Sequence, residues 1–221
     1  MFSTRIFPLP RGHVADTTLD DDNRMRKDGT LDVRRLFVNV RHRPPESVVV
    51  ETLLRFGSGA LAYARRGGVR VALLHDGEPY RSASSALTRL GIDVDAWPAP
   101  PAGLFVVEER TVYLRSRSPM TVAHEFAHAL DCALGGGIYR SGVDPRIRSL
   151  YTAAQTFITP YAATGVDEYF AESIRAYVGV NDPASPWPLA TRERLLRIDP
   201  KMFRYIHEVF TTDFEAELQS A

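Results

Sequence analysis

Residues 121–134 read Thr-Val-Ala-His124-Glu125-Phe126-Ala127-His128-Ala-Leu130-Asp131-Cys132-Ala-Leu134 (TVAHEFAHALDCAL). On an α-helix, side chains four positions apart lie on one face, so His124 and His128 can bring two imidazoles to a single divalent cation. Glu125 stands one position round from His124, where it holds a metal-activated water and acts as general base rather than ligand. The pattern therefore predicts a helix over 121–134 that carries chemistry on one face and buries Phe126, Ala129 and Leu130 on the other. The same residues also suit an ordinary core helix whose histidines are satisfied by backbone groups.

Two histidines are two ligands, and a catalytic zinc takes three protein ligands while keeping one position open. His13, His42, His75 and His207 do not fall at the spacing of the extended H-E-x-x-H-x-x-G-x-x-H motif, so a carboxylate is expected as the third ligand. Residues 167–172 (DEYFAE) open a further helix running to Val178, with Glu168 and Glu172 on one face. Spacing alone leaves open which of the two reaches the metal. Asp131, three residues after His128, is placed to orient a ligand imidazole from behind, as is Glu172; a surface or capping carboxylate is the alternative for each.

Working outward, residues 11–35 are charged and small, including Asp20, Asp21, Asp22 and an Asp28-Gly29 turn signal. They offer little to bury, so residues 1–35 are expected to form a flexible arm and the core to start at Leu36. After Pro44-Pro45, residues 46–56 place Val49, Leu53 and Phe56 at helical spacing. Residues 69–75 (VRVALLH) read as a buried strand, and 82–90, closed by Gly91, as a helix with a glycine cap. Residues 103–107 and 111–115 suit a hairpin whose second strand is expected to offer its edge to an extended peptide. Beyond Pro119 the periodicity is helical over 121–134, 145–156, 166–178, 191–196 and from 200 to about 218. This predicts an α+β domain over 36–221, divided into an α/β lobe (36–118) and a helical lobe (119–221).

The chain has 221 residues, 44% of them hydrophobic, and its 27 basic and 27 acidic side chains cancel. No global field draws it to nucleic acid or to an anionic membrane, and neither is expected as a partner. Its arginines are dispersed, and only Lys27 and Lys201 are lysines. Cys132 is the sole cysteine, which excludes an intrachain disulfide and a cysteine-rich zinc site and suits a reducing compartment. The first residues, MFSTRIFPLPRGH, lack the apolar stretch of a secretory signal, so the expected location is cytoplasmic, or exported without a classical signal.

HEFAHALD (124–131), followed roughly forty positions later by YAATGVDEYFAESIRAYV (161–178), resembles the catalytic domain of anthrax lethal factor. The Pro-Pro endopeptidases and bacterial titration-factor peptidases are similar. IDPKMFRYIHEVF (198–210) is similar to that family's C-terminal P-K-x-F segment, so the resemblance runs from about residue 100 to the end. It implies a zincin-like fold of gluzincin type, one catalytic Zn²⁺, and a protein or peptide substrate. It also implies Glu168 as third ligand, and Tyr161, seven residues before it, as the hydroxyl that faces the scissile carbonyl. Members differ in cleavage preference, so neither proline specificity nor kinase substrates follow. The contrasting expectation is a catalytically silent zinc-binding interaction module on the same fold.

Overall fold

The computed structural model describes residues 33–38, 46–182 and 189–219. All but the last three residues of the expected arm lie outside them, as does most of the proline-rich connector at 182–188. The architecture is mixed α+β, mostly helical, with one three-stranded sheet. In chain order the elements are α1 (Ser47–Leu54), α2 (Gly57–Arg66), β1 (Arg70–Leu73), α3 (Tyr80–Ala83), α4 (Ser85–Leu90), β2 (Gly103–Val106) and β3 (Thr111–Leu114). Then come α5 (Pro119–Leu134), α6 (Arg140–Val143), α7 (Pro145–Ala153), α8 (Val166–Tyr177), α9 (Arg192–Ile198), α10 (Pro200–Glu208) and α11 (Phe214–Gln219).

The sheet order is β1-β3-β2, with β3 parallel to β1 and antiparallel to β2. β3 is buried along its whole length, because it has a strand on each side and apolar layers on each face. Val71, Phe105, Val112 and Leu114 join the main core, and Tyr113, Val106 and Leu74 join a smaller cluster with Tyr80, Leu87 and Val94. This alternation is the period-two signature of a strand between two layers. It corrects the expectation for residues 111–115: β3 is the central strand, and the edge beside the motif helix belongs to β2. Both partners of this hairpin are short apolar runs, so which one lies inside depends on β1, forty residues earlier in the chain.

α5 is the central post. Pro119 occupies its first turn, where a missing N–H costs nothing, and Gly135 ends it. Val122, Ala123, Phe126, Ala127, Ala129, Leu130 and Cys132 are all buried, so the helix is apolar round most of its circumference, as a helix enclosed by others must be. Phe126 meets Phe56 edge to face at 4.9 Å. α8 is buried from Tyr169 to Tyr177 and packs along α5. Val33 and Leu36, with no exposed surface, belong to the same core.

Several element bounds differ from expectation for local reasons. The 82–90 helix is two short pieces, α3 and α4, because the Ser84 side chain accepts the Leu87 N–H and caps a new start; Gly91, at φ +68°, closes it in the left-handed region. The C-terminal helix is interrupted by a π turn at Val209–Asp213. α6 was not foreseen; it is four residues long and shows no periodicity.

Candidate metal centre

His124 and His128 on α5 and Glu168 in the first turn of α8 meet where the two helices pack. His124 Nε2 and His128 Nε2 are 3.1 Å apart, and Glu168 Oε2 lies 3.1 Å from the first and 3.3 Å from the second. The three donor atoms thus form a nearly equilateral triangle. A tetrahedron with metal–ligand distances of about 2.0–2.1 Å has an edge of about 3.3 Å, so this group can hold a metal ion with little adjustment. Glu168 Oε2 is buried and has no aligned hydrogen-bond donor despite its two imidazole neighbours. An orphaned oxygen facing two nitrogens is a donor set suited to a cation.

The electrostatics agree. Burial opposes protonation of His124, yet Glu168 and Glu172 outweigh it and push the imidazole up to about 10. Burial likewise raises Glu168, but the two imidazoles hold it down at about 2. The pocket is built to have positive charge at its centre, whether protons or metal supply it.

Glu172 serves a different purpose from Glu168. Its Oε1 is 3.0 Å from His124 Nδ1, and its other partners are Thr159 Oγ1 at 2.7 Å and the Nε and Nη2 of Arg175, both at 2.8 Å. Burial would raise the Glu172 carboxyl, but the Arg175 guanidinium and His124 hold it well below the usual range. An ionised acceptor at Nδ1 keeps the proton on that nitrogen and leaves the Nε2 lone pair facing the centre. Arg175 and Thr159 were not singled out in the sequence. Arg175 stands three positions from Glu172, a spacing that pairs charges on a helix, whereas Thr159 is in a separate loop with no local signal.

The hydrogen-bond partner of Asp131 is Ser141: its carboxylate accepts from the Ser141 N–H at 2.8 Å and from the Ser141 hydroxyl, tying the end of α5 to α6. A fully buried carboxylate takes the nearest donors, and α6 supplies two. Burial still lifts it to about 6. His128 Nδ1 is left buried without a hydrogen-bond partner among the described residues, so the two histidines are anchored unequally.

Glu125 lies beside the donor triangle. Burial raises its pKa, against the opposing pull of the His124 and His128 imidazoles. The Tyr161 hydroxyl is 3.2 Å from Glu168 Oε1, and its half-exposed ring lies 5.4 Å from that of His124. Tyr139, also not singled out, sets its ring 5.5 Å from that of His128. A cleft of about 300 Å³ joins His124, Glu125, Tyr161 and Glu172 to an apolar wall of Pro101, Ala102, Gly103 and Met120. A larger cavity of about 730 Å³, lined by Arg55, Gly59, Tyr177 and Phe214 among others, contains none of these residues, so size does not mark the chemistry here.

No family model and no curated protein matches the sequence. The fold is similar to the structure of the Pro-Pro endopeptidase PPEP-2 from Paenibacillus alvei, with a TM-score of 0.57 and 18% identity. The match covers 80% of this chain and 99% of that one. At this identity the likeness concerns the fold.

Proposed function

We propose that the chain is a zinc-dependent endopeptidase of the gluzincin type, related to the lethal-factor-like peptidases, in which His124, His128 and Glu168 hold the zinc. The observation that carries this reading is the triangle of donor atoms 3.1–3.3 Å apart with Glu125 beside it in an open cleft. The fold it shares with an endopeptidase supports the same conclusion, and suits a zincin-like arrangement of one peptidase domain over 36–221 preceded by an arm. Zinc bound at such a site supplies Lewis-acid polarisation of the scissile carbonyl and brings the pKa of water toward neutrality.

The side chains divide the remaining work. Glu125, raised by burial, accepts a proton from the attacking water and returns it to the leaving amine. The Tyr161 hydroxyl donates to the oxygen on which negative charge develops. Glu172, fixed by Arg175 and Thr159, keeps His124 in the required tautomer. The substrate is a peptide in extended form, bound along the outer edge of β2. Arg115 N–H bonds to Ala102 O, so residues 104 and 106 pair inward with β3 while the backbone groups of Gly103 and Phe105 face outward.

The test is a peptide-library digest with the zinc-loaded protein and with Glu125→Ala. Cleavage is expected from the former, lost on chelation, restored by zinc and absent in the variant. Equal cleavage by both proteins, or none by the zinc-loaded wild type across an unbiased library, would count against the proposal.

A further inference from the structure

Gly103 opens β2 and forms part of the cleft wall. A Cβ at this position would fall 2.6 Å from Glu125 Cγ, 3.2 Å from Glu125 Cδ and 2.7 Å from Thr121 Cγ2. Carbon atoms in contact sit about 3.5–4.0 Å apart, so the overlap approaches 1 Å at two places. Thr121 and Glu125 are one turn apart on α5 and make a ridge, and the bare backbone of Gly103 is the groove that receives it. The obstructed atom of Glu125 is near the root of the side chain, so the stem cannot move aside without taking the carboxylate with it.

We infer that Gly103 is a positioning residue for Glu125, and that the absence of a side chain there sets the distance between the general base and the metal ligands. The inference rests on the peptidase reading, and its role is distinct from backbone conformation. Gly103 is not among the glycines with positive φ, so alanine is compatible with its backbone and only the space is lacking.

The experiment uses a Thr121→Ser background, which removes the other obstructing group, the threonine methyl, and compares Gly103→Ala with and without Glu125→Ala. With Glu125 present, Gly103→Ala is expected to lower Tm by roughly 5 °C and kcat by about a hundredfold, with KM changed less than about twofold and zinc content retained. With Glu125 truncated, the fall in Tm is expected to disappear. An unchanged kcat, or the same loss of Tm in both backgrounds, overturns the inference. Should the Thr121→Ser, Gly103→Ala chain fail to fold, folding recovered by Glu125→Ala supports the inference and continued failure overturns it. A Thr121→Ser chain that cleaves nothing but shows the Tm coupling overturns the peptidase reading and leaves the seating of Glu125 by Gly103 standing.

Discussion

Glu168 and Glu172 are the same residue one helical turn apart, yet their surroundings give them opposite tasks. Glu168 keeps a bare oxygen toward two imidazole nitrogens, while Glu172 has both oxygens occupied by Arg175, Thr159 and His124. Removing each function should leave a separate trace. Tyr161→Phe is expected to reduce kcat about 10²–10³-fold with zinc retained, because in the proposed mechanism its hydroxyl acts on the substrate oxygen and its contact to Glu168 is dispensable for binding the ion. Glu172→Gln should instead weaken zinc about 10–100-fold, since a neutral amide neither balances Arg175 nor fixes the Nδ1 proton. Zinc competition against a chromophoric chelator, with turnover measured at saturating zinc, separates the two; loss of zinc in the tyrosine variant would remove it from its assigned role. At this scale the sequence was legible where ligands share a helix. His124, Glu125 and His128 follow from helical spacing alone, whereas Glu168 over Glu172 depended on a family pattern, and the partners of Asp131 depended on a four-residue helix with no periodicity.

Among the elements, the turn between β2 and β3 is held by one carboxylate. Glu109 accepts from the hydroxyls of Ser84, Ser85 and Tyr113, each at 2.7 Å, and from the Ala86 N–H at 2.9 Å, fastening the hairpin to α4. Burial would raise this group, but the donors bring it from 4.5 down to about 2. In the unfolded chain it titrates near 4.5, so between pH 4.5 and about 2 the unfolded state takes up a proton that the folded state refuses. Stability is therefore full above that window and falls as the pH drops through it. Glu109→Gln is expected to be less stable at neutral pH and to lose less on acidification to pH 3, as read from urea midpoints; an acid dependence equal to that of wild type would discount the clamp. The hairpin itself could be read from its two extended runs separated by Glu108, Glu109 and Arg110. Its order in the sheet could not, because the strand that buries β3 comes from the distant segment at 70–73.

Over the whole molecule, the donor triangle joins two helices that are already each other's main packing partners. An ion bound only by the folded state stabilises it by about 4 kcal/mol at a thousandfold excess over Kd, which for a chain of this length raises Tm by about 10 °C. Adding zinc to chelator-stripped protein is expected to produce such a rise, and His128→Ala to abolish it, both measurable by scanning calorimetry. A Tm indifferent to zinc would mean that the donors do not converge in solution as they do here. The overall class, a mixed α/β first half followed by helices alone, was legible from the change of hydrophobic period near Pro119. The depth of α5 was less so: His128 is as enclosed as its apolar neighbours, and no count of hydrophobic residues places a histidine there.

The position of α5 as central post also bears on biosynthesis. Forty positions separate His128 from Glu168, and at a synthesis rate of about 5–20 residues per second a ribosome needs roughly 2–8 s to cover them. During that interval a nascent chain presents two histidines without the carboxylate that completes the set, and without α8 to enclose them. In the proposed reading, stable capture of zinc waits for the later helix to emerge and dock. If zinc is the resident ion as proposed, maturation is timed by translation of the chain's second half, and a pause there would lengthen the period in which the half-built centre is open to any passing metal.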